Sequence, residues 1–161
     1  RGYTIENYKK LVGEIREIIP DVGLVSDIIV GFPSETEAQF RQTVNLLTGL
    51  RFDAVHLAAY SPRPGTIAAR EMADDVPEDE KKRRLKMLEG LQENILTEIN
   101  AKLKGKILEI LVEGKQKGKW FGRTGTDKLV FFTDNVNYMG KLVNLRIDQT
   151  SPWSLQGTTK Y

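Results

Sequence analysis

Apolar and polar positions in the first 104 residues follow two alternating patterns. Residues 4–19 carry apolar side chains at three- and four-residue spacing, which predicts an amphipathic helix ending before Pro20. Residues 23–31 form a mostly apolar run rich in β-branched side chains, which is typical of a strand buried on both faces. Residues 54–60 form a second strand-like run. The pattern therefore predicts helices and buried strands in alternation.

Two further helices are predicted from their ends as well as from their spacing. Ser34 to Glu37 fit a capping box, in which the serine oxygen accepts an amide three residues on and Glu37 reaches back. Residues 78–103 predict a long helix with acidic residues at its start and Gly105 just past its end. The order favours a parallel α/β arrangement. Two strands cannot cover three helices, so we expect further strands N-terminal to Arg1, in a larger domain.

The pattern changes after Gly105, where helical spacing ends. Five short strand-like runs suggest a small closed all-β barrel of oligonucleotide-binding type. We therefore expect two domains, the end of an α/β domain over residues 1–104 and a barrel over residues 105–161. The five runs are residues 107–112, 120–123, 129–132, 141–147 and 153–155.

The composition excludes several classes of protein and of functional site. Apolar residues make up 40% of the chain, too many for a disordered protein. No apolar run approaches the roughly 18 residues of a membrane span, and the start lacks a signal-peptide pattern. The chain has no cysteine and one histidine, so we expect no disulfide, no thiolate-held cluster and no metal site within it.

Charge is distributed unevenly between the two predicted domains. Residues 1–104 have 15 basic and 17 acidic side chains, whereas residues 105–161 have 9 and 5. Within the basic part, residues 115–123 interleave cations with aromatic rings, a pattern that favours phosphates and stacked bases. The alternative is a basic hairpin in which Trp120 and Phe121 partly fill the barrel core. The candidate RNA-binding residues are Lys117, Lys119, Phe121, Arg123 and Lys128.

Two loops follow the predicted strands at their carboxyl ends, where parallel sheets bind ligands. In residues 31–36, Gly31 permits close approach, and free amides at the following helix start favour an anionic or polar group. The alternative is a plain capped turn. In residues 61–66, Arg63 stands between two prolines and could fork onto a carboxylate or phosphate. The alternative is an ion pair with an acid such as Asp74.

Two polar residues lie within the predicted strands. Asp27 interrupts an apolar strand, and buried carboxylates need partners. It is either a structural hydrogen-bond acceptor or a group that points into a polar cavity. For His56, a core histidine with satisfied hydrogen bonds is favoured over a catalytic base.

Three strings resemble the radical S-adenosylmethionine methylthiotransferases, namely Arg1 to Thr4, Asp27 to Glu37, and Tyr60 to Thr66. The tail resembles the TRAM domain that ends those enzymes. It does so through Gly122-Arg123-Thr124, Lys128 to Phe132 and Leu155-Gln156-Gly157.

The resemblance implies that residues 1–104 are the C-terminal portion of a partial (β/α) radical barrel. It implies S-adenosylmethionine and two 4Fe-4S clusters in the full-length parent, whose cluster cysteines lie upstream of Arg1. Residues 27–35 match a strand segment lining the S-adenosylmethionine pocket, with Ser34 where the family usually has glycine. The implied cofactor-binding residues are Asp27, Gly31, Pro33, Glu35 and Arg63.

The resemblance also implies a substrate. The form Ser61-Pro-Arg-Pro-Gly-Thr66 is similar to the tRNA-modifying members, which implies a methylthio group added to isopentenyl-adenosine beside the anticodon. Threonylcarbamoyl-adenosine in tRNA and a ribosomal-protein aspartate stay as alternative substrates, and a non-catalytic RNA-binding module as an alternative function. We expect a cytoplasmic protein that binds tRNA and not a membrane, and a chain that is inactive without its missing N-terminal part.

Overall fold

A computed structural model describes residues 2–159; Arg1, the first residue of one string compared above, lies outside the described residues, as do Lys160 and Tyr161. The described residues form two compact units. One comprises residues 24–92, and the other combines residues 2–23 with residues 93–159. The two units are defined by contacts between residues, whereas the predicted domain boundary was placed where the sequence pattern changes. The boundary between residues 104 and 105 therefore stays a prediction.

The unit of residues 24–92 contains a two-stranded parallel sheet with helices between and after the strands. Val25 pairs with Ala54, and the register continues to Val30 and Ala59. The predicted parallel pairing is therefore confirmed. The elements, of which the last continues into the other unit, are β1 (Val25–Val30), α1 (Glu37–Leu50), β2 (Ala54–Ala59), α2 (Ile67–Glu71) and α3 (Glu78–Ala101).

One face of this sheet is exposed, so the prediction of a strand buried on both faces is wrong. Side chains alternate along a strand, and Val25, Asp27 and Ile29 lie on the exposed side. His56, opposite Asp27 in the register, is exposed too. The expected buried Asp27 and core His56 are corrected accordingly, because nothing in the described part of the unit covers this face.

The start of α1 also differs from the prediction. Thr36, not Ser34, caps the helix, and its partner in the capping box is Gln39, not Glu37. Ser34 has φ +66°, whereas a cap residue needs an extended backbone. The short helix α2 was not predicted; Thr66 caps it by accepting the Ala69 amide at 3.2 Å.

The other unit contains a helix and a closed five-stranded barrel. The helix (Ile5–Ile18) is capped by Thr4, whose hydroxyl oxygen accepts the Asn7 amide at 3.3 Å. The barrel strands are β3 (Ile107–Gln116), β4 (Lys119–Thr124), β5 (Leu129–Phe132), β6 (Leu142–Thr150) and β7 (Leu155–Thr158). Their order around the barrel is β3-β4-β5-β7-β6, with β5 and β7 parallel and the other neighbours antiparallel. The predicted small barrel is thus confirmed.

Alternate residues of these strands fill the barrel. The buried core residues are Ile110, Val112, Trp120, Val130, Phe132, Leu145, Ile147 and Leu155.

The end of α3 is bound to the turn before β7, because the Asn100 amide nitrogen donates to the carbonyls of Ser151 and Pro152 at 2.8 and 3.0 Å.

Across the described residues, no helix combines the length and apolar character needed to cross a membrane.

Candidate nucleic-acid interface and candidate cofactor loops

The β3–β4 hairpin ends in a two-residue turn that presents two lysines. Lys117 has φ +49° and Gly118 has φ +80°, and turns with two positive φ values match the twist of the flanking strands. Gln116 and Lys119 pair directly below the turn. Lys117 and Lys119 are exposed, so both ammonium groups face solvent at the tip of the hairpin.

A groove beside this turn has an aromatic side chain in its lining. It is an open groove of about 330 Å³ and is lined by Gln116, Lys117, Lys119 and Phe131. Phe131 is half-buried on the outer face of β5. We call these four residues the hairpin groove. It combines two cations, an amide and a ring on one small surface of the barrel.

Phe121 stands next to the hairpin groove and supports Phe131. The two rings are partners in the β4–β5 register, with centroids 6.4 Å apart and planes inclined by 51°. Phe121 crosses the backbone of Gly114, where a Cβ would lie 2.8 Å from the ring Cζ. Glycine at this position therefore makes room for the ring.

The other predicted RNA-binding residues lie away from the groove. Arg123 is two residues along β4 from Phe121, and its guanidinium is 3.1 Å from Asp127 and 3.6 Å from Glu113. Lys128 is half-buried between β4 and β5. The structure thus brings Lys117 and Lys119 together with Phe131, the ring that Phe121 packs against, but gives Arg123 two acidic partners.

Trp120 lies in the barrel core, as the alternative for this segment proposed. It is 8% exposed, and its Nε1 donates to the Asp134 carbonyl at 3.2 Å. Lys115 Nζ stands 4.9 Å from the ring centroid, a cation–π contact. Sequence reasoning missed Gln116 and Phe131. The alternation of Leu129-Val-Phe-Phe132 places Phe131 on the outer face and was the signal for it.

In the first candidate cofactor loop, Glu35 is occupied by protein groups. One of its oxygens accepts the Gly31 amide at 2.6 Å and Arg84 Nη1 at 2.7 Å. Arg84 also donates to the Glu35 carbonyl at 2.9 Å and to Glu80 at 2.7 Å. The Gly31 amide is therefore not available to a ligand in this arrangement, and Pro33 is buried.

The second loop leaves its arginine open. Arg63 is exposed, and its guanidinium has no ion pair anywhere in residues 2–159. The alternative pairing with Asp74 is wrong, because Asp74 binds Lys81 Nζ at 2.6 and 2.7 Å. Lys81 is 3% exposed and lies 5.5 Å from the Tyr60 ring centroid. Arg63 and the exposed Asp27 are thus the two predicted groups that a ligand could reach.

Hydrogen bonds at the start of α3 and in the segment before it shift two carboxyl groups towards their charged forms. Hydrogen bonds from Arg83 and, after the opposing effect of desolvation, from Arg84 lower the pKa of Glu80 to about 2. The Ser34 backbone amide lowers the pKa of Asp75. For Arg84, burial lowers the pKa, but the hydrogen bonds that its guanidinium donates to Glu35 and Glu80 outweigh this effect and raise the pKa overall.

The candidate loops offer no set of metal ligands. Across residues 2–159, no three His, Asp or Glu side chains are grouped so that they could hold a metal ion, and the sequence has no cysteine. Thiolate ligation of an iron–sulfur cluster is therefore not a property of this chain.

Comparison with known proteins identifies the class to which the barrel belongs. Residues 101–160 match the family model of the TRAM domain. The barrel described above is thus a TRAM domain. A crystal structure of a multidomain protein with nucleic acid binding domains from Streptococcus pneumoniae matches at 14% identity. It covers 37% of this chain and 23% of its own, with a TM-score of 0.33, too low to add to the argument.

Curated relatives match almost the whole chain, beyond the barrel alone. Proteins named tRNA-2-methylthio-N(6)-dimethylallyladenosine synthase are 53% identical in Dehalococcoides mccartyi, 52% in Chloroflexus aurantiacus and 41% in Aquifex aeolicus. They cover 97%, 98% and 98% of this chain, and 37%, 34% and 36% of their own length. The chain belongs to the methylthiotransferase family that these relatives represent, and it spans about a third of their length. The resemblance found in the sequence is confirmed.

Proposed function

We propose that this chain is part of a tRNA methylthiotransferase that inserts a methylthio group into isopentenyl-adenosine beside the anticodon. The observation that carries the proposal is 53% identity over 97% of the chain to a relative named for that product. The match runs through both compact units. The remaining machinery belongs to the longer parent, since the chain corresponds to 37% of that relative.

In this proposal the TRAM barrel holds tRNA. Lys117 and Lys119 are exposed cations beside aromatic rings, the combination that binds phosphates and bases of unpaired RNA. Arg123 contributes by fixing the outer face of β4 through its acidic partners. Lys128, directly before β5, stays a candidate phosphate contact. Such binding weakens as the salt concentration rises. Lysines that bind phosphates release the cations bound to RNA, and this release is less favourable when the solution already contains many cations.

The loops of the other unit form part of the cofactor pocket. S-adenosylmethionine supplies the radical initiator and the methyl group in the reaction of this family. The exposed residues fit its polar groups, since the Asp27 carboxylate can accept from its ammonium or ribose hydroxyls and Arg63 can bind its carboxylate. Gly31, Pro33 and Glu35 have a different part, because their contacts fix the loop that carries the pocket wall.

The chain on its own is inactive in this proposal. Both 4Fe-4S clusters need thiolate ligands, and the sequence has no cysteine. Purified chain incubated with reductant, S-adenosylmethionine and tRNA should give no methylthiolated nucleoside. Any product above a no-protein blank contradicts this part. Because tRNA is its substrate, the protein acts in the cytoplasm.

The test replaces the homologous segment of the Dehalococcoides mccartyi relative with this chain. The chimera is expressed in a strain lacking its own methylthiotransferase, and tRNA nucleosides are measured by mass spectrometry. We expect 2-methylthio-isopentenyladenosine. A methylthio group on threonylcarbamoyl-adenosine or on a ribosomal-protein aspartate would identify one of the alternative substrates. No product, with tRNA binding retained, would favour a non-catalytic RNA-binding module.

A matched variant separates RNA binding from chemistry. In the chimera, Lys117→Ala with Lys119→Ala should raise the tRNA concentration needed for half-maximal product. The control is Lys102→Ala with Lys104→Ala. These two lysines lie between α3 and β3, and their replacement removes the same charge. Equal effects of the two pairs would contradict a specific role for the hairpin.

A further inference from the structure

The hairpin groove has the size and chemistry of a site for a single nucleotide. Its volume of about 330 Å³ falls at the small end of the range for ligand sites, roughly 300–1,000 Å³. An intact double helix presents its bases already stacked inside it, so a groove of this size receives only a base that has left the stack.

Phe131 is the ring available for stacking. It contributes to the lining of the groove, whereas Phe121 does not. Phe121 is committed to the Gly114 backbone on one side and to Phe131 on the other. Phe121 therefore acts as a positioning residue that fixes Phe131. The sequence of residues 115–123 does not show this division of roles, because Phe131 lies outside that segment.

The groove lysines are free to bind phosphate. Neither Lys117 nor Lys119 has an ion pair within residues 2–159, in contrast to Arg123, which has two acidic neighbours. The turn gives the Lys117 backbone a left-handed conformation. Lys117 and Lys119 both line the groove, so two cationic side chains share its lining with an aromatic ring.

We propose that the hairpin groove binds one unpaired nucleotide of RNA, with its base stacked on Phe131 and its phosphates on Lys117 and Lys119. The inference rests on the RNA-binding role proposed above and adds the form of RNA and the stacking residue. The exposed Gln116 amide has both donors and an acceptor, so it can meet the edge of any base. The site is therefore tolerant of base identity but requires a base.

The experiment measures binding of the full chain to a fluorescein-labelled RNA hairpin with a seven-nucleotide unpaired loop. The comparison RNA is a blunt duplex with the same number of phosphates, and the comparison polyanion is heparin, which has charge but no bases. Affinities are measured by fluorescence anisotropy between 50 and 200 mM salt. The variants are Phe131→Leu, Phe131→Tyr, and Lys117→Ala with Lys119→Ala.

Stacking of one base on an aromatic ring contributes enough that we expect Phe131→Leu to weaken hairpin binding about tenfold. The same variant should leave duplex and heparin affinity within twofold and leave the salt slope unchanged. Phe131→Tyr should restore hairpin affinity to within about twofold. The double lysine variant should weaken all three ligands and reduce the salt slope by about 1 to 2, one phosphate contact per lysine.

Several results overturn the inference. Equal effects of Phe131→Leu on hairpin and duplex affinity would remove the stacking site while the RNA-binding role stands. Failure of Phe131→Tyr to restore hairpin affinity would do the same. If the unmodified chain binds neither RNA, both proposals fail together. Near-ultraviolet circular dichroism and the melting temperature of each variant show that the barrel stays folded, and an NMR cross-peak between Phe131 ring protons and base protons gives a direct readout.

Discussion

Arg84 and Glu35 form an ion pair whose Nη1–Oε2 distance is 2.7 Å and whose side chains are 5% and 13% exposed. The same glutamate oxygen accepts the Gly31 amide. Arg84 Nε also donates to Glu80, one turn earlier on α3. A single guanidinium therefore joins α3 to the loop that follows β1, where the candidate cofactor residues lie.

Arg84→Met should destabilise the unit of residues 24–92 by about 3 kcal/mol, because removing one partner of a buried ion pair leaves an uncompensated charge. Far-UV circular dichroism during urea unfolding measures the loss. Both tryptophans, Trp120 and Trp153, belong to the other unit, so the midpoint by tryptophan emission is the internal control. Glu35→Gln in the same chain should recover part of the loss. If the changes in unfolding free energy caused by the two substitutions simply add, Arg84 and Glu35 are not energetically coupled.

Gly31→Ala should be more harmful than Gly65→Ala, although both glycines have positive φ, +69° and +85°. A Cβ at Gly31 would overlap the Lys81 side chain, which its ion pair with Asp74 holds in place. A Cβ at Gly65 would meet nothing within 4 Å. We expect losses of about 3 and about 1 kcal/mol, the smaller being backbone strain alone. Equal losses in urea unfolding would mean that Lys81 moves aside freely.

Much of the secondary structure could be predicted from the sequence, because periodicity is a local property. The two parallel strands and the five barrel strands follow from alternation and turn residues. The capping box was misplaced since Ser34 and Thr36 both stand three residues before a Glu or Gln, Glu37 and Gln39. Only the backbone separates them, because Ser34 has the left-handed conformation and donates its amide to Asp75 at 2.7 Å.

Burial of the charged residues could not be predicted in the same way. Lys81 and Arg84 look like solvent-facing positions of a charged helix, yet each is buried against a carboxylate outside the helix. Asp27 and His56 looked buried because strands rich in apolar residues usually are. Both outcomes depend on which segments pack together, which is a tertiary property. The hairpin groove was half predicted, because its lysines lie in one segment and Phe131 in another.

Glu80→Gln should flatten the acid side of the stability profile. The pKa of Glu80 is lowered to about 2 from an ordinary value of 4.5, first by hydrogen bonding from Arg83. A depressed folded-state pKa stabilises the protein fully above about 4.5, and this contribution is lost as the pH falls towards 2. The melting temperature of the wild type should therefore exceed that of the variant at pH 7, and this difference should shrink below pH 4.5.

Glu89→Gln is the matched control for this prediction. Glu89 is exposed on the same helix, and its side chain has no ion pair within the described residues. Its variant measures the effect of removing one exposed carboxylate from this helix at each pH. Melting curves followed by far-UV circular dichroism at half-unit pH steps give both comparisons. A pH-independent difference for Glu80→Gln would mean that its contacts with Arg83 and Arg84 do not persist in solution.

Gly114→Ala should displace Phe121, because the new Cβ would lie 2.8 Å from the ring Cζ. The barrel should lose about 1 kcal/mol of unfolding free energy, and hairpin-RNA affinity should fall because Phe131 loses its neighbour. Adding Phe121→Leu removes the clash. The double variant should therefore lose less unfolding free energy than the two single variants lose together. Gly118→Ala, at φ +80° with nothing within 4 Å, is the control for strain without a clash. Trp120 emission reports unfolding of this barrel directly, and a Gly114→Ala chain as stable and as tightly RNA-bound as the wild type would show that Phe121 does not position Phe131.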